Sequence, residues 1–349
     1  MSPNVPVIPL QDISDHARKS HLTIADCTGL SVLTTIRAID DGVIFRSDKT
    51  YLLVGLSGEI GQSLCKWMVK HGARYVVLPS RTPKVNSTFA SVIKRMGGTV
   101  KILPMDVTSR ESLHACYNAI TKTLPPIAGV ANGAMVLHDM VFDNMPFEVL
   151  DKVLAPKVKG SQLLDELFHD TPLDFFIFFS SMTVVLGNSG QSNYIAGNMF
   201  MNALAAQRKK RGVAGSSINI SSVIGIGYVE RSDELNEEYF TNMGYRPMSE
   251  QDLQLSFAEA IVLGKPDCPE VSELSTGVKS TLNSQSVEKF LQDIKFTHMM
   301  MQENDGAETV GTKSSSAPIK IQLAEVRTKA DAVSIIRGMQ SIDPLYYIF

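Results

Sequence analysis

The chain has 349 residues, 44% of them hydrophobic, and a formal net charge of −3 at pH 7. That apolar content excludes wholesale disorder, and the near-neutral charge gives no reason to expect a nucleic-acid partner or an anionic membrane surface. The four cysteines (Cys27, Cys65, Cys116, Cys268) form no CxxC pair, so neither a metal site nor a disulfide framework is expected, and a reducing, cytoplasmic compartment fits.

The start, MSPNVPVIPLQD, lacks the basic and apolar stretches of a signal peptide. Residues 1–49 hold scattered prolines and weak patterning, and read as a lead-in segment with at most a strand or two. From Thr50 the pattern changes. TYLLVGL is a short apolar run, and GQSLCKWMVKHG carries apolar residues at helical spacing before closing on Gly72. ARYVVLPS and TVKILPMDV repeat the apolar run, each beside a helical pattern, and IAGVANGAM follows. Then come a helical stretch over about 145–170, LDFFIFFSS, a helix from about Ser192 to Arg211, and GSSINISSV. FFIFF, the richest apolar run, is far too short to span a bilayer, and no membrane partner is expected.

Apolar strands alternating with amphipathic helices predict an α/β fold: a doubly wound, Rossmann-type parallel sheet with helices on both faces, over residues 50–265. Residues 266–318, rich in Ser, Thr, Glu and Pro, read as a partly disordered linker broken by a helical pattern near 286–302. A short amphipathic helix, IQLAEVRTKADAVSIIRGM, falls within 319–349.

The first strand runs straight into VGLSGEIGQSL. Gly55, Gly58 and Gly61 sit on a strand–helix turn, where glycines permit a tight turn and let backbone N–H groups approach a pyrophosphate at the helix N-terminus. The second strand ends in PSRT, with Arg81 twenty positions after Gly61, where a dinucleotide domain reads the ribose 2′ position. Ser80 and Arg81 bring no carboxylate there. A guanidinium can grip a 2′-phosphate through paired hydrogen bonds, so NADP(H) is expected rather than NAD(H). Asp106, at the carboxyl end of the third strand, is placed to reach the adenine amino group. At the end of the fourth, Asn132, Gly133 and Ala134 would let the backbone pass close to the cofactor.

The stretch SSMTVVLGNSGQSNYIAGN places Ser181 at the end of the fifth strand, thirteen residues before Tyr194, with Asn198 four further on the same helix face. Reducing a ketone needs a proton donor for oxygen while hydride reaches carbon. A free phenol, with a pKa of about 10, is a weak acid for this, and a nearby ammonium lowers that pKa by roughly 1–3 units. A serine hydroxyl can hold the carbonyl oxygen, and an amide can order a water that relays protons.

A strand-end Ser with a helical Tyr resembles the short-chain dehydrogenase/reductase family, whose usual YxxxK here reads YxxxN. The ketoreductase domains of modular and fungal polyketide synthases share that departure and carry the lysine upstream, in a PKVxG-like motif. This chain has APKVKG at 155–160, and of Lys152, Lys157 and Lys159 only Lys157 matches the motif. The resemblance runs from about Thr50 to Gly264, through TYLLVGLSGEIG, GARYVVLPSR, GVANGAMVLHD and AAQRKKRG, and looks closest to fungal highly reducing synthases and their peptide-synthetase hybrids.

The resemblance implies Lys157, Ser181, Tyr194 and Asn198 as catalytic residues. It adds Ser57, Ile60 and Val107 to the cofactor contacts, and Asp139 and Met182 as substrate contacts, with the loop around Tyr228–Met248 beside the acyl chain. It implies NADPH-dependent reduction of a β-ketoacyl thioester in secondary-metabolite biosynthesis. The partner would be an acyl carrier domain bearing a phosphopantetheine-linked chain, in cis or trans, with other synthase domains nearby. LHD (Leu137, His138, Asp139) stands where one facial class has LDD, and Leu186 where the other has tryptophan, which leans toward the first class. The family's upstream structural half has no room in residues 1–49, and the helix near 319–338 resembles the approach to a carrier domain cut off before its serine. A catalytically silent nucleotide-binding remnant or docking module, or a dehydratase or epimerase on the same fold, stays open on the residues alone.

Overall fold

The computed structural model describes residues 22–27, 30–36, 44–83, 85, 87–226 and 247–276. Strands β1 (Leu22–Cys27) and β2 (Leu30–Ile36) pair antiparallel in a sheet of their own. Seven further strands form one parallel sheet: β3 (Thr50–Val54), β4 (Tyr75–Ser80), β5 (Thr99–Pro104), β6 (Ile127–Asn132), β7 (Phe175–Ser181), β8 (Ser216–Ile220) and β9 (Glu273–Ser275). Their order is β5-β4-β3-β6-β7-β8-β9, with every neighbouring pair parallel. The connecting helices are α1 (Glu59–Lys70), α2 (Ser87–Arg95), α3 (Arg110–Thr121), α4 (Phe147–Lys157), α5 (Lys159–Leu167), α6 (Thr183–Leu186), α7 (Ser192–Lys210) and α8 (Glu250–Leu263).

The strand β7, FFIFFSS, shows why the runs are apolar throughout. Phe175, Ile177 and Phe179 enter a core with Trp67 and Met68 of α1 and Phe257 of α8. Phe176 and Phe178 enter a second core with Leu113 of α3, Leu164 of α5 and Met201 of α7. Because neighbouring side chains point to opposite faces, a sheet covered on both sides needs an apolar residue at every position. Full burial contributes about 1.5–3 kcal/mol for each such phenylalanine. The chain leaves β3 through α1 to β4 and β5, then returns to pair β6 against the free edge of β3. That reversal opens a crevice beyond the carboxyl ends of β3 and β6, where sheets of this type bind ligands.

Three details differ from the sequence expectation. The sheet does not end at residue 265: Leu274 of β9 pairs with Ile218 inside the stretch read as linker. A three-residue strand, ELS, carries too little pattern to be seen without its partner. The domain also begins before Thr50. Ile44 and Phe45 donate backbone hydrogen bonds to the His71 carbonyl, and Phe45 is buried against Tyr51 and Trp67. Finally, the helix expected over 145–170 breaks at Val158 into α4 and α5. The helical patterns near 286–302 and 319–338 lie outside the described residues.

Candidate active site

At the switch point the glycines hold the turn together. Gly55 has φ +70°, and a Cβ there would collide with the Ala134 backbone, so β3 and the segment after β6 approach as closely as two main chains can. A Cβ at Gly61 would strike the Leu56 carbonyl. Gly58 is different: a Cβ there meets nothing within 4 Å, and no side chain caps α1. Gly58 thus adds no bulk at the N-terminal, positive end of α1. Ser57 itself is buried, and its carbonyl accepts from Gln62 Nε2 at 3.0 Å.

From this turn a cleft of about 230 Å³ runs along Val54, Gly55, Ser80, Arg81, Asp106 and Val107 to Ala134 and Met135. Asp106 Oδ1 accepts from the Thr108 backbone N–H at 2.9 Å and the Thr108 hydroxyl at 2.7 Å. Burial works against its charge, but these bonds, with Arg81 and Lys159 nearby, hold the carboxyl below its usual range. Asn132 is fully buried and turned away from the cleft: Nδ2 donates to Ser161 Oγ at 3.0 Å, and Oδ1 accepts from Ala134 N at 3.1 Å. Of the expected residues 132–134, Ala134 lines the cleft, while Asn132 and Gly133 are not among its lining residues. The glycine turn, an exposed cation at Arg81 and a fixed carboxylate at Asp106 fit a nicotinamide dinucleotide.

Lys157, Ser181, Tyr194 and Asn198 come from three elements, α4, β7 and α7. Lys157 closes α4 yet is only 1% exposed, with Nζ donating to the Phe179 carbonyl of β7 at 3.3 Å. The same Nζ stands 4.9 Å from the centroid of the Tyr194 ring. Burial lowers its amine pKa to about 7. Gly197 makes the approach possible: a Cβ there would lie 3.2 Å from both Cβ and Cδ of Lys157. Tyr194, on the first turn of α7, has its phenol pushed up by burial and by the charge of Asp139, while Asn198 and Ser181 pull it down. Ser181 ends β7 with Oγ accepting from Thr183 N at 3.2 Å. Both amide atoms of Asn198 are buried and out of hydrogen-bond geometry with any protein group, although the amide is near enough to influence the phenol. An orphaned buried amide calls for a guest of water size.

A family model, the KR domain, matches residues 49–225. The chain belongs to the KR domain family. The KR domain is an oxidoreductase unit acting on ketones with a nicotinamide cofactor. The chain is 68% identical over 334 residues to the hybrid PKS-NRPS synthetase pvhA of Talaromyces variabilis, covering 96% of this chain and 8% of that protein. It is 63% identical over 338 residues to the trichosetin synthetase PKS-NRPS1 of Gibberella fujikuroi, covering 96% and 9%. It thus spans less than a tenth of those relatives. Among solved structures, A-type ketoreductases from a modular polyketide synthase align with a TM-score of 0.61 at 24% identity, over 68% of this chain and 49% of that one. The first ketoreductase of the tylosin PKS aligns with a TM-score of 0.57 at 26% identity, over 78% and 58%. Among the described residues no helix is long and apolar enough to cross a membrane.

Within this KR domain one expected contact is corrected. Met182 has 0% exposure, folded under the start of α6, with its N–H bonded to the Ile220 carbonyl, so its side chain does not face the cleft. Asp139 is exposed and accepts from Gln191 Nε2 at 2.8 Å. Of the loop around Tyr228–Met248, only Pro247 and Met248 lie among the described residues, and Met248 is buried beside Val223. Two positions escaped the sequence reading. Asn193 Nδ2 donates to the His138 carbonyl at 3.0 Å, tying the LHD segment to the start of α7. The Met135 thioether lies 4.0 Å from the Tyr194 hydroxyl. Only the unusual density of polar residues in NSGQSN hinted at the first, and nothing local marked the second.

Proposed function

We propose that this KR domain reduces a β-ketoacyl thioester, carried on the phosphopantetheine of an acyl carrier domain, to the β-hydroxyacyl form at the expense of NADPH, in fungal secondary-metabolite biosynthesis. The observation that carries the reading is the meeting of the buried Lys157 amine with the Tyr194 ring, between Ser181 and Asn198. Bound NADPH supplies the hydride. Ser181 holds the ketone oxygen by hydrogen bond. Tyr194 gives its phenolic proton to that oxygen as negative charge develops there. Charged Lys157 stabilises the phenolate left behind, and a water held by Asn198 returns the proton. Arg81 in the cleft and the glycine turn leading into α1 support the choice of NADPH and its phosphates. The large synthetases among its relatives support a carrier-bound substrate and neighbouring synthase domains as partners.

The test is NADPH oxidation with a β-ketoacyl thioester, followed by absorbance, for wild type and Tyr194→Phe. Turnover lost in the variant with NADPH binding retained is the expected result. A wild type that binds NADPH and never turns over, even with a matched carrier, would instead identify a silent remnant.

A further inference from the structure

Among the described residues, Met135 is a large apolar side chain that both lines the cleft and contacts the phenol. It is 43% exposed, so it is not core filling, and its Sδ stands 4.0 Å from Tyr194 Oη. Its backbone is anchored on both sides. Ala134 N donates to the buried Asn132 side chain at 3.1 Å, while Met140 N donates to the Gly190 carbonyl at 2.8 Å and His138 O accepts from Asn193. These bonds hold the segment that carries Met135 beside the phenol.

A ketone oxygen accepting the phenol's proton must lie within about 2.6–3.2 Å of Oη. The thioether already occupies the shell just outside that distance. When the ketone oxygen arrives, sulfur and methyl must stand against one of the two carbon arms of the carbonyl. A thin, adaptable side chain tolerates an unbranched arm there and crowds a branched one.

We propose that Met135 sets the space beside the reacting carbonyl and selects substrates by the bulk of the carbon next to it. This inference rests on the reductase reading above. The substrate class it favours is β-ketoacyl thioesters with no bulky α-substituent.

The experiment compares kcat/KM of the full chain, with NADPH, for two N-acetylcysteamine thioesters: an α-unsubstituted β-ketoacyl group and its α,α-dimethyl counterpart. Met135→Ala should raise the ratio of dimethyl to unsubstituted kcat/KM about tenfold, the scale on which pocket methyl groups discriminate. Met135→Phe should lower the ratio, and Met135→Leu should leave it near the wild-type value. Ratios for the Ala and Phe variants that match wild type while both still reduce the unsubstituted thioester would overturn the inference and leave the reductase reading standing. A wild type that binds NADPH but reduces neither thioester would overturn that reading and this inference with it.

Discussion

The ammonium of Lys157 and the aromatic ring of Tyr194, thirty-seven residues apart in the chain, face one another at 4.9 Å inside the fold. Burying that amine is costly, because desolvation disfavours its charged form. Its pKa falls from 10.5 to about 7. Between those values the unfolded chain binds more protons than the folded one, so stability rises with pH across that window. Below pH 7 both states are charged, and the fold bears the full cost of the buried ammonium. Lys157→Met should therefore unfold at a higher temperature than wild type at pH 6.5, with the gap closing toward pH 10. Calorimetry at the two pH values checks this, and a variant no more stable than wild type at pH 6.5 would refute the buried-charge account.

The same titration should shape the rate. Burial keeps the Tyr194 phenol protonated through neutral pH, so the alkaline limb of reduction falls to Lys157. The profile of kcat/KM for NADPH should decline above an apparent pKa near 7 that belongs to the Lys157–Tyr194 pair. In Lys157→Arg, whose guanidinium stays charged, that decline should move to higher pH or vanish. An unchanged limb in this variant would assign it to another group.

Arg81, directly after β4, is one of two cations that line the cleft among the described residues, the other being Lys152. Arg81→Ser should weaken NADPH binding by about 10–100-fold, the worth of one charge-assisted pair of hydrogen bonds, and leave NADH binding nearly unchanged. Fluorescence titration of both cofactors reads this directly. Equal losses for the two would show that the side chain does not touch a 2′-phosphate.

Gly197 leaves 3.2 Å for a Cβ against Lys157. Gly197→Ala should be folded and slowed, because Lys157 must yield a few tenths of an ångström, and Gly197→Val should lose most activity while keeping NADPH binding. Full activity in the valine variant would mean that the lysine's placement is not critical.

Glu259, in the middle of α8, is buried and its carboxyl is pushed up to about 7. Its folded state holds a proton that the unfolded chain releases near 4.5, so stability falls as pH rises from about 4.5 to 7. Glu259→Gln should flatten this slope and be more stable than wild type above pH 7, as denaturation midpoints at pH 5 and 8 would reveal. Parallel pH profiles for the two proteins would exclude Glu259 as the source.

Much of the fold was legible because burial on two faces writes itself into composition. TYLLV, YVVLPS and FFIFFSS needed no partner to be seen as strands. Shorter or more polar elements were not. ELS becomes β9 only by pairing with β8, and the lead-in residues Ile44 and Phe45 join the domain through the His71 carbonyl. The site divides in the same way. Motif spacing named Lys157, Ser181, Tyr194 and Asn198, which the structure gathers around one phenol. It placed Met182 at the cleft, where the fold buries it, and passed over Met135, whose exposure beside the phenol no local pattern records.

The sequence by itself determined the layered architecture, the glycine turn and the candidate site side chains, since periodicity, motif and residue chemistry are local properties. Only the tertiary structure decided how Lys157 reaches the tyrosine, which methionine stands beside the phenol and how deeply each charge is buried. Those outcomes depend on the approach of α4 to α7 and of β6 to β3. Through-space distance and desolvation are set by packing between segments far apart in the chain, and no single segment encodes them.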